Sequence, residues 1–273
     1  MPPRIVFTTN DSQRGQRILL AMHRRGITPD AVVLLAEGLT PPWHRGWSTP
    51  RTLLRWPFVA LRALPRRIAL LRRRGSYRPL AKRVLLGGTI NSRDTRRVLA
   101  ELEPDVIVLG GGGIVQPETL ALARSAVLNA HPALLPWVRG NGVVAHSLEQ
   151  GIALGATVHR VDPGIDTGAI LRRRLLPAAA TEQSLTALQL ACDALAAETM
   201  ADVVEQVLAT GTVPTGCAQA ERHPLYRLPP PREWPRLRDL AASGAAATLF
   251  AAWAPYASPG PGNVLPEDLV RID

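Results

Sequence analysis

Apolar positions along this chain follow two alternating rhythms. Short unbroken apolar runs, RIVFTT (4–9), DAVVLLAE (30–37), DVIVLG (105–110) and AVLNAH (126–131), read as strands buried on both faces. Between them, QRILLAMHRRG (16–26) and TRRVLAELEP (95–104) carry apolar residues at helical spacing and stop at glycine or proline. QPETLALARS (116–125) predicts a short helix with proline near its start, and GVVAHSLEQG (142–151) a helix between two glycines. ATVHRVD (156–162) alternates as a strand does, and AILRRRLLP (169–177) is a further strand. SLTALQLACDALAAETMADVVEQVLATG (184–211) predicts one long amphipathic helix stopped by Gly211. The β-α-β rhythm implies an α/β domain over 1–180 built on a mainly parallel central sheet flanked by helices. Residues 181–273 would add a C-terminal helix and an extended tail packed on the same domain.

Composition supports a globular chain and then complicates it. Hydrophobic residues make up 46% and charged ones 20%, enough for a sizeable core. The net charge of +10 is uneven: Gly38 to Arg93 holds thirteen Lys and Arg and no Asp or Glu, which leaves about −3 for the rest. The expectation is a basic insertion at 38–93, not a uniformly basic surface. Within it, LLRWPFVALRALPRRIALLRRR (53–74) reads as a basic amphipathic helix bent at Pro57 and Pro65. It is a candidate contact for an anionic membrane surface or a polyanion such as RNA, against the simpler reading of a solvated face. Cys192 and Cys217 fit neither a metal spacing nor a disulfide framework, which points to a reducing, cytoplasmic setting. No apolar run reaches eighteen residues, and the N-terminal run is too short for a signal peptide.

In parallel α/β sheets ligands bind beyond the carboxyl ends of the strands. Three such ends carry unusual residues: Gly110–Gly113, Asn129–His131, and DPGIDTG (162–168). An Asn amide offers two N–H donors and a protonated His another, so Asn129 and His131 together could stabilise a developing oxyanion. Asp166, in a glycine-flanked loop, could keep the imidazole charged. No Ser or Cys is placed as a nucleophile, so direct attack of an amine on a carbonyl or formyl carbon is the simpler chemistry. The glycine run does not match a dinucleotide fingerprint, which needs a G-x-G-x-x-G that opens a helix and an acid about twenty residues on. His159 reads as structural, and the role of His146 is open.

The stretch NAHPALLPWVRG (129–140), followed by GIALGATVHRVDPGIDTGAIL (151–171), resembles the signature of the 10-formyltetrahydrofolate-dependent formyltransferases. That family includes the glycinamide ribonucleotide, methionyl-tRNA and sugar N-formyltransferases. The likeness spans roughly 95–177. It implies a Rossmann-like formyltransferase fold, 10-formyltetrahydrofolate as co-substrate, and no metal. It also implies that Asn129 and His131 stabilise the tetrahedral intermediate while Asp166 tunes His131 and helps accept the amine proton. Gly112, Gly113, Ile114 and Val115 match the family segment whose backbone holds the pterin ring. Val161, Asp162, Gly164 and Ile165 would hold it from the other side.

Departures from the family pattern bear on the acceptor. Where the glycinamide ribonucleotide enzymes have a glycine-rich phosphate loop, this chain reads TTNDSQRGQ (8–16), with Asn10, Ser12 and Arg14 as polar candidates and Arg139 as a fourth. The tail HPLYRLPPPREWPRLRDLAASGAAATLFAAW (223–253) is partly helical and lacks the strand alternation of the barrel that the methionyl-tRNA enzymes carry. The expected acceptor is therefore a primary amine on a small molecule, an amino sugar nucleotide first. Natural-product or siderophore amines, glycinamide ribonucleotide, aminoacyl-tRNA and hydrolysis of the donor are alternatives. A non-enzymatic membrane- or RNA-binding module would leave Asn129, His131 and Asp166 without a task. The oligomeric state is open, and a homodimer is compatible with the sequence.

Overall fold

The computed structural model describes residues 1–36, 68, 72–181, 184–219, 223–258, 264–266 and 269. The chain forms two compact units, Met1–Val127 and Leu128–Asp273. The sequence reading places a division near residue 180. The observed one falls earlier because the long helix after 184 packs on the strands that precede it.

The first unit holds β1 (Ile5–Thr9), α1 (Gln13–Arg24), β2 (Ala31–Leu35), β3 (Val84–Gly87), α2 (Arg93–Leu102), β4 (Val106–Gly110) and α3 (Pro117–Leu120). Its strands run in the order β4-β1-β2-β3, all parallel, with Thr9 opposite both Leu34 and Gly110. Every residue of β1, β2 and β4 is buried, which is why these runs are apolar without alternation. Helix α1 packs on β4, and α2 on β2 and β3. Ser12 and Ser92 cap the two helices, each hydroxyl accepting a backbone N–H three residues on. The chain passes from β1 to β2 and β3 on one side and returns to β4 on the other. The carboxyl ends of β1 and β4 therefore form the topological switch point.

Strand β3 corrects the sequence reading, which treats 38–93 as an interruption of the sheet. VLLG is four residues long, follows Lys82 and Arg83, and buries only Val84, so it presents the weak pattern of an edge strand. Of the basic helix expected over 53–74, all but Ile68 and 72–74 lies outside the described residues.

The second unit holds β5 (Ala126–His131, beginning at the boundary), β6 (Arg139–Gly140), α4 (Val143–Glu149), β7 (Gly155–Arg160), β8 (Ile170–Leu175) and α5 (Leu185–Thr210). After these come β9 (Leu225–Tyr226), α6 (Trp234–Ala242), α7 (Ala245–Trp253) and β10 (Val264–Leu265). Here the strands run β10-β8-β7-β5, antiparallel throughout, and β6 pairs with β9 as a separate two-stranded ribbon. Helix α5 covers β7 and β8. Its spacing predicts an amphipathic helix, yet Leu195 to Val204 is buried on nearly every side, as a core helix is.

Arg173 on β8 is fully buried. Its guanidinium donates to the Leu135 and Leu269 carbonyls, both at 3.1 Å, and to that of Pro266, and it lies 5.0 Å from the Trp137 ring centroid. Those bonds fasten the tail around β10 to the loop that follows β5. Among the described residues no helix is long and apolar enough to cross a membrane.

Candidate active site

Alternation along β5 places Asn129 and His131 on one face of the strand. Strand β7 runs antiparallel beside it, with Asn129 opposite His159 and His131 opposite Thr157. Thr157 fixes the loop that follows: its hydroxyl donates to the Ala133 carbonyl at 2.8 Å and accepts the Leu135 N–H at 3.0 Å. The NAHPALLP run is therefore tied down within a few residues of its histidine.

Asp166 reaches the same face from the turn between β7 and β8. Its backbone is left-handed, φ 53°, which an aspartate tolerates better than most residues. The turn closes through Asp162, whose Oδ1 accepts from the Gly164 N–H at 3.1 Å and the Thr167 hydroxyl at 2.6 Å. Gly168 ends it in close contact, since a Cβ there would lie 2.0 Å from the Arg160 carbonyl oxygen. The Gln219 side-chain amide then donates to the carbonyls of Asp166 (3.1 Å) and Gly168 (2.7 Å).

The half-buried Asp166 carboxylate sits among three partners. Its Oδ2 accepts the Gly140 N–H at 3.0 Å and lies 3.6 Å from His131 Nδ1. Its Oδ1 lies 3.6 Å from His159 Nε2. Burial acts to raise its pKa, but the charges of His131 and His159, the His159 hydrogen bond and the Gly140 N–H outweigh it, and the carboxyl lies well below the usual carboxylate range.

His131 is itself buried, and its Nε2–H donates to the Val138 carbonyl at 2.9 Å. His159 donates Nδ1–H to the Arg160 carbonyl at 2.7 Å, and its Nε2 lies 3.1 Å from Asn129 Nδ2. One N–H of the Asn129 amide lies toward His159, and the second is available. Asn129, His131 and Asp166 are brought together as the sequence suggests. The donors are arranged differently: His131 directs Nε2 at the protein backbone, so the Asn129 amide is the group free to donate outward.

Sequence reasoning sets His159 aside. Its place follows only once β7 is known to pair antiparallel with β5. The one available signal is the alternation of ATVHRVD, which puts Thr157 and His159 on the same face. His146 lies in α4, with Nδ1 3.1 Å from Glu149 Oε2 and Nε2 2.8 Å from the Arg227 carbonyl oxygen, and it stacks on Tyr226 at 4.5 Å. It secures the tail segment that contains β9.

Beside the Asp166 turn lies a cavity of about 550 Å³ walled by Arg139, Asp162, Gly164, Ile165, Thr167, Gln219 and Leu225. Three of the four residues expected on this side of the donor, Asp162, Gly164 and Ile165, thus line it together with Arg139. Val161, the fourth, belongs to the same unit but is not on the cavity wall, and the remaining expected residues belong to the first unit. There Gly111, Gly112 and Gly113 all have positive φ, and a Cβ on Gly111 would lie 2.5 Å from Asn10 Oδ1. The Asn91 side chain holds the loop from both ends, donating to the Ile114 carbonyl and accepting the Gln116 N–H, each at 2.8 Å. Val115 is buried while Ile114 is 61% exposed. Asn10 Oδ1 is buried without a hydrogen bond, Ser12 donates to the Gly110 carbonyl at 2.9 Å, and Arg14 lies in the first turn of α1. Asn91 carries no sequence signal beyond its place after a glycine pair.

Part of the chain matches known proteins. Residues 88–210 match the family model described as formyl transferase. A methionyl-tRNA formyltransferase of Chromohalobacter salexigens is 37% identical over 95 residues, 34% of this chain and 29% of that protein. One from Nitrosomonas europaea is 35% identical over 91 residues, 33% of this chain and 28% of that protein. The chain therefore spans less than a third of the length of these curated relatives. A glycinamide ribonucleotide transformylase structure from Symbiobacterium toebii superposes with TM-score 0.51 at 21% identity, covering 80% of this chain and 93% of that one. A sugar N-formyltransferase structure from a Shewanella species gives 0.52 at 14% identity, covering 88% and 86%. At such identities these two share the fold with this chain. The matched residues 88–210 hold β5, β7 and the Asp166 turn, so the likeness to formyl transferases covers the segment that builds the cluster.

Proposed function

We propose that this protein transfers the formyl group of 10-formyltetrahydrofolate to a primary amine of a small molecule, with an amino sugar nucleotide as the first choice of acceptor. The observation that carries the reading is the Asn129–His131–His159–Asp166 cluster inside the family-matched segment. The amine attacks the formyl carbon, and the oxygen that gains charge is met by the free Asn129 N–H and by the positive charge of His131, which Asp166 sustains. His159 orients the Asn129 amide. Asp166 helps accept the amine proton, and as the bond between the formyl carbon and N10 breaks, N10 takes up a proton and tetrahydrofolate leaves. The residues held for the donor's pterin ring are Gly112–Val115 in the first unit and Val161, Asp162, Gly164 and Ile165 in the second. Asn10, Ser12, Arg14 and Arg139 are held for the acceptor.

The curated relatives are named methionyl-tRNA formyltransferases, which makes aminoacyl-tRNA the second reading. One experiment separates the two. Enzyme and donor are incubated with a panel of amino sugar nucleotides, natural-product amines, glycinamide ribonucleotide and methionyl-tRNA, and products are followed by mass spectrometry. A product heavier by one CO unit identifies the acceptor. Formylation of methionyl-tRNA alone would replace the small-molecule reading, and free formate with every amine untouched would make the protein a donor hydrolase.

A further inference from the structure

We propose that His146 is a charge-dependent clasp on the tail. As an imidazolium it holds the segment Leu225–Arg227, and through that segment it steadies Gly140, whose N–H is bonded to Asp166. As a neutral ring it releases the segment. The effect on turnover rests on the formyl-transfer reading, whereas the clasp itself does not.

The starting observation is that both ring nitrogens meet acceptors. Nδ1 lies 3.1 Å from Glu149 Oε2, and Nε2 lies 2.8 Å from the Arg227 carbonyl oxygen. A carbonyl has no proton to give. Glu149 has none either, because Arg236 is paired with its other oxygen, Oε1, and a neighbouring cation keeps a carboxylate ionised. The two hydrogen bonds together therefore need a proton on each nitrogen, which is the imidazolium. Turning the ring over would set ring carbons against the same two oxygens and lose both bonds. A neutral ring keeps only one proton. The carboxylate holds it on Nδ1, since a hydrogen bond to a charged acceptor is the stronger of the two. The Nε2 lone pair is then left against the Arg227 carbonyl oxygen, which repels it. The contact that fails is thus the one to the tail, and the one within α4 survives.

The path from the ring to the Asp166 carboxylate is short. Tyr226 stacks on His146, its carbonyl accepts the Asn141 N–H at 3.0 Å, and it stands in register with Gly140. Gly140 in turn donates to Asp166 Oδ2 at 3.0 Å. All of these residues belong to the second compact unit. Two helices pack on α4. Helix α6 bears Arg236, Arg238 and Asp239, and α5 bears Asp193, Glu198, Asp202 and Glu205. Of these, Arg236 joins the network through Glu149, and Asp202 is paired with Arg174. The tail brings Tyr226 and Arg227 to the ring. Histidine is the side chain that ordinarily changes charge between about pH 5 and pH 8. That of His146 is 12% exposed, so its proton can exchange with solvent.

The test is an NMR titration of the full ¹⁵N-labelled chain, from about pH 5.5 upward until the His146 ring loses a proton. At the acid end both ring nitrogens should be protonated. As one proton leaves, the amides of Gly140 and of 225–227 should shift with the midpoint of the ring itself, while those of β1 and β2 stay still. His146→Phe keeps a ring to stack on Tyr226 but has neither donor, and its amides at 140 and 225–227 should hold the alkaline positions at every pH. Circular dichroism checks that this variant folds, and the wild-type titration decides the matter without it. On an amine that is formylated, kcat of the wild type should exceed that of His146→Phe by about tenfold at the acid end, the size of one charge-assisted hydrogen bond. The ratio should fall towards one as the pH rises, and taking the ratio cancels the titration of the acceptor amine. KM for the donor should move little. A ring with a single proton at every pH, or amides at 140 and 225–227 that ignore its titration, overturns the proposal and leaves formyl transfer standing. A kcat ratio that is flat with pH overturns the link from the clasp to Asp166. Coupled amides with no amine formylated uphold the clasp and overturn the formyl-transfer reading.

Discussion

At the scale of single residues, the site depends on a carboxylate that is half-buried yet held ionised. Asn129→Ala and His131→Ala should each lower turnover by about 10²–10³, the usual cost of one group that stabilises a developing oxyanion. Asp166→Asn should be comparably severe, because it removes the charge that sustains His131 while keeping an oxygen for the Gly140 N–H. Steady-state kinetics on the identified acceptor measure all three, and near-wild-type turnover throughout would remove the cluster from the chemistry. The same carboxylate makes a stability prediction. Its pKa is depressed in the folded state, so its contribution is complete above the unfolded value, about 3.9, and is lost as pH falls through the lower folded value. Urea unfolding of wild type and Asp166→Asn should differ by a constant amount from neutral pH down to about pH 5, and the gap should close below about pH 4. A gap that widens in acid would contradict the assigned direction. Of these residues, Asn129, His131 and Asp166 became candidates from their places at strand ends together with the resemblance to the formyltransferase signature. His159 was not, because one histidine in an alternating strand has no distinguishing mark until its cross-strand neighbour is known.

At the scale of elements, the two-residue ribbon of β6 and β9 connects the tail to the catalytic turn. Gly140 has φ 96°, a Cβ there would lie 2.2 Å from the Tyr226 carbonyl oxygen, and its own N–H bonds Asp166. Gly140→Ala should therefore push β9 away and loosen the Asp166 carboxylate together. Turnover should fall, and the amide resonances of both 139–141 and 225–227 should shift. A change at one segment without the other would show that the ribbon does not couple them. Ribbons this short leave no periodic trace in a sequence, whereas β1, β2 and β4 are plain as uninterrupted apolar runs. The antiparallel pairing of β5, β7 and β8 was hidden for another reason. A helix between β5 and β7 looks the same in sequence whether the strands it joins are parallel or antiparallel.

At the scale of the whole molecule, each unit carries residues assigned to the proposed reaction. The glycine loop held by Asn91 is in the first, and the Asn129–Asp166 cluster is in the second. Binding of tetrahydrofolate or 5-formyltetrahydrofolate should protect the amides of Gly110–Val115 from hydrogen exchange, together with those of Val161–Ile165. Protection of the first loop by NAD and not by a folate would reassign it to a dinucleotide. Alternating strands and helices made the α/β class legible over this length. The boundary between units was not, because it falls inside the apolar run of β5, where composition does not change.

The Asp166 turn is fastened chiefly through main-chain groups: the Gly140 N–H, the Asp166 and Gly168 carbonyls gripped by Gln219, and the Gly168–Arg160 contact. Side chains that face the cavity from that turn, Ile165 and Thr167, have only a partial share in this anchoring. The arrangement separates what must stay constant from what can drift, and so favours the evolution of new acceptors on an unchanged reaction centre. In a library randomised at Leu225 and Gly168 and selected for formylation of altered amines, survivors should vary freely at the first position. They should retain glycine at 168.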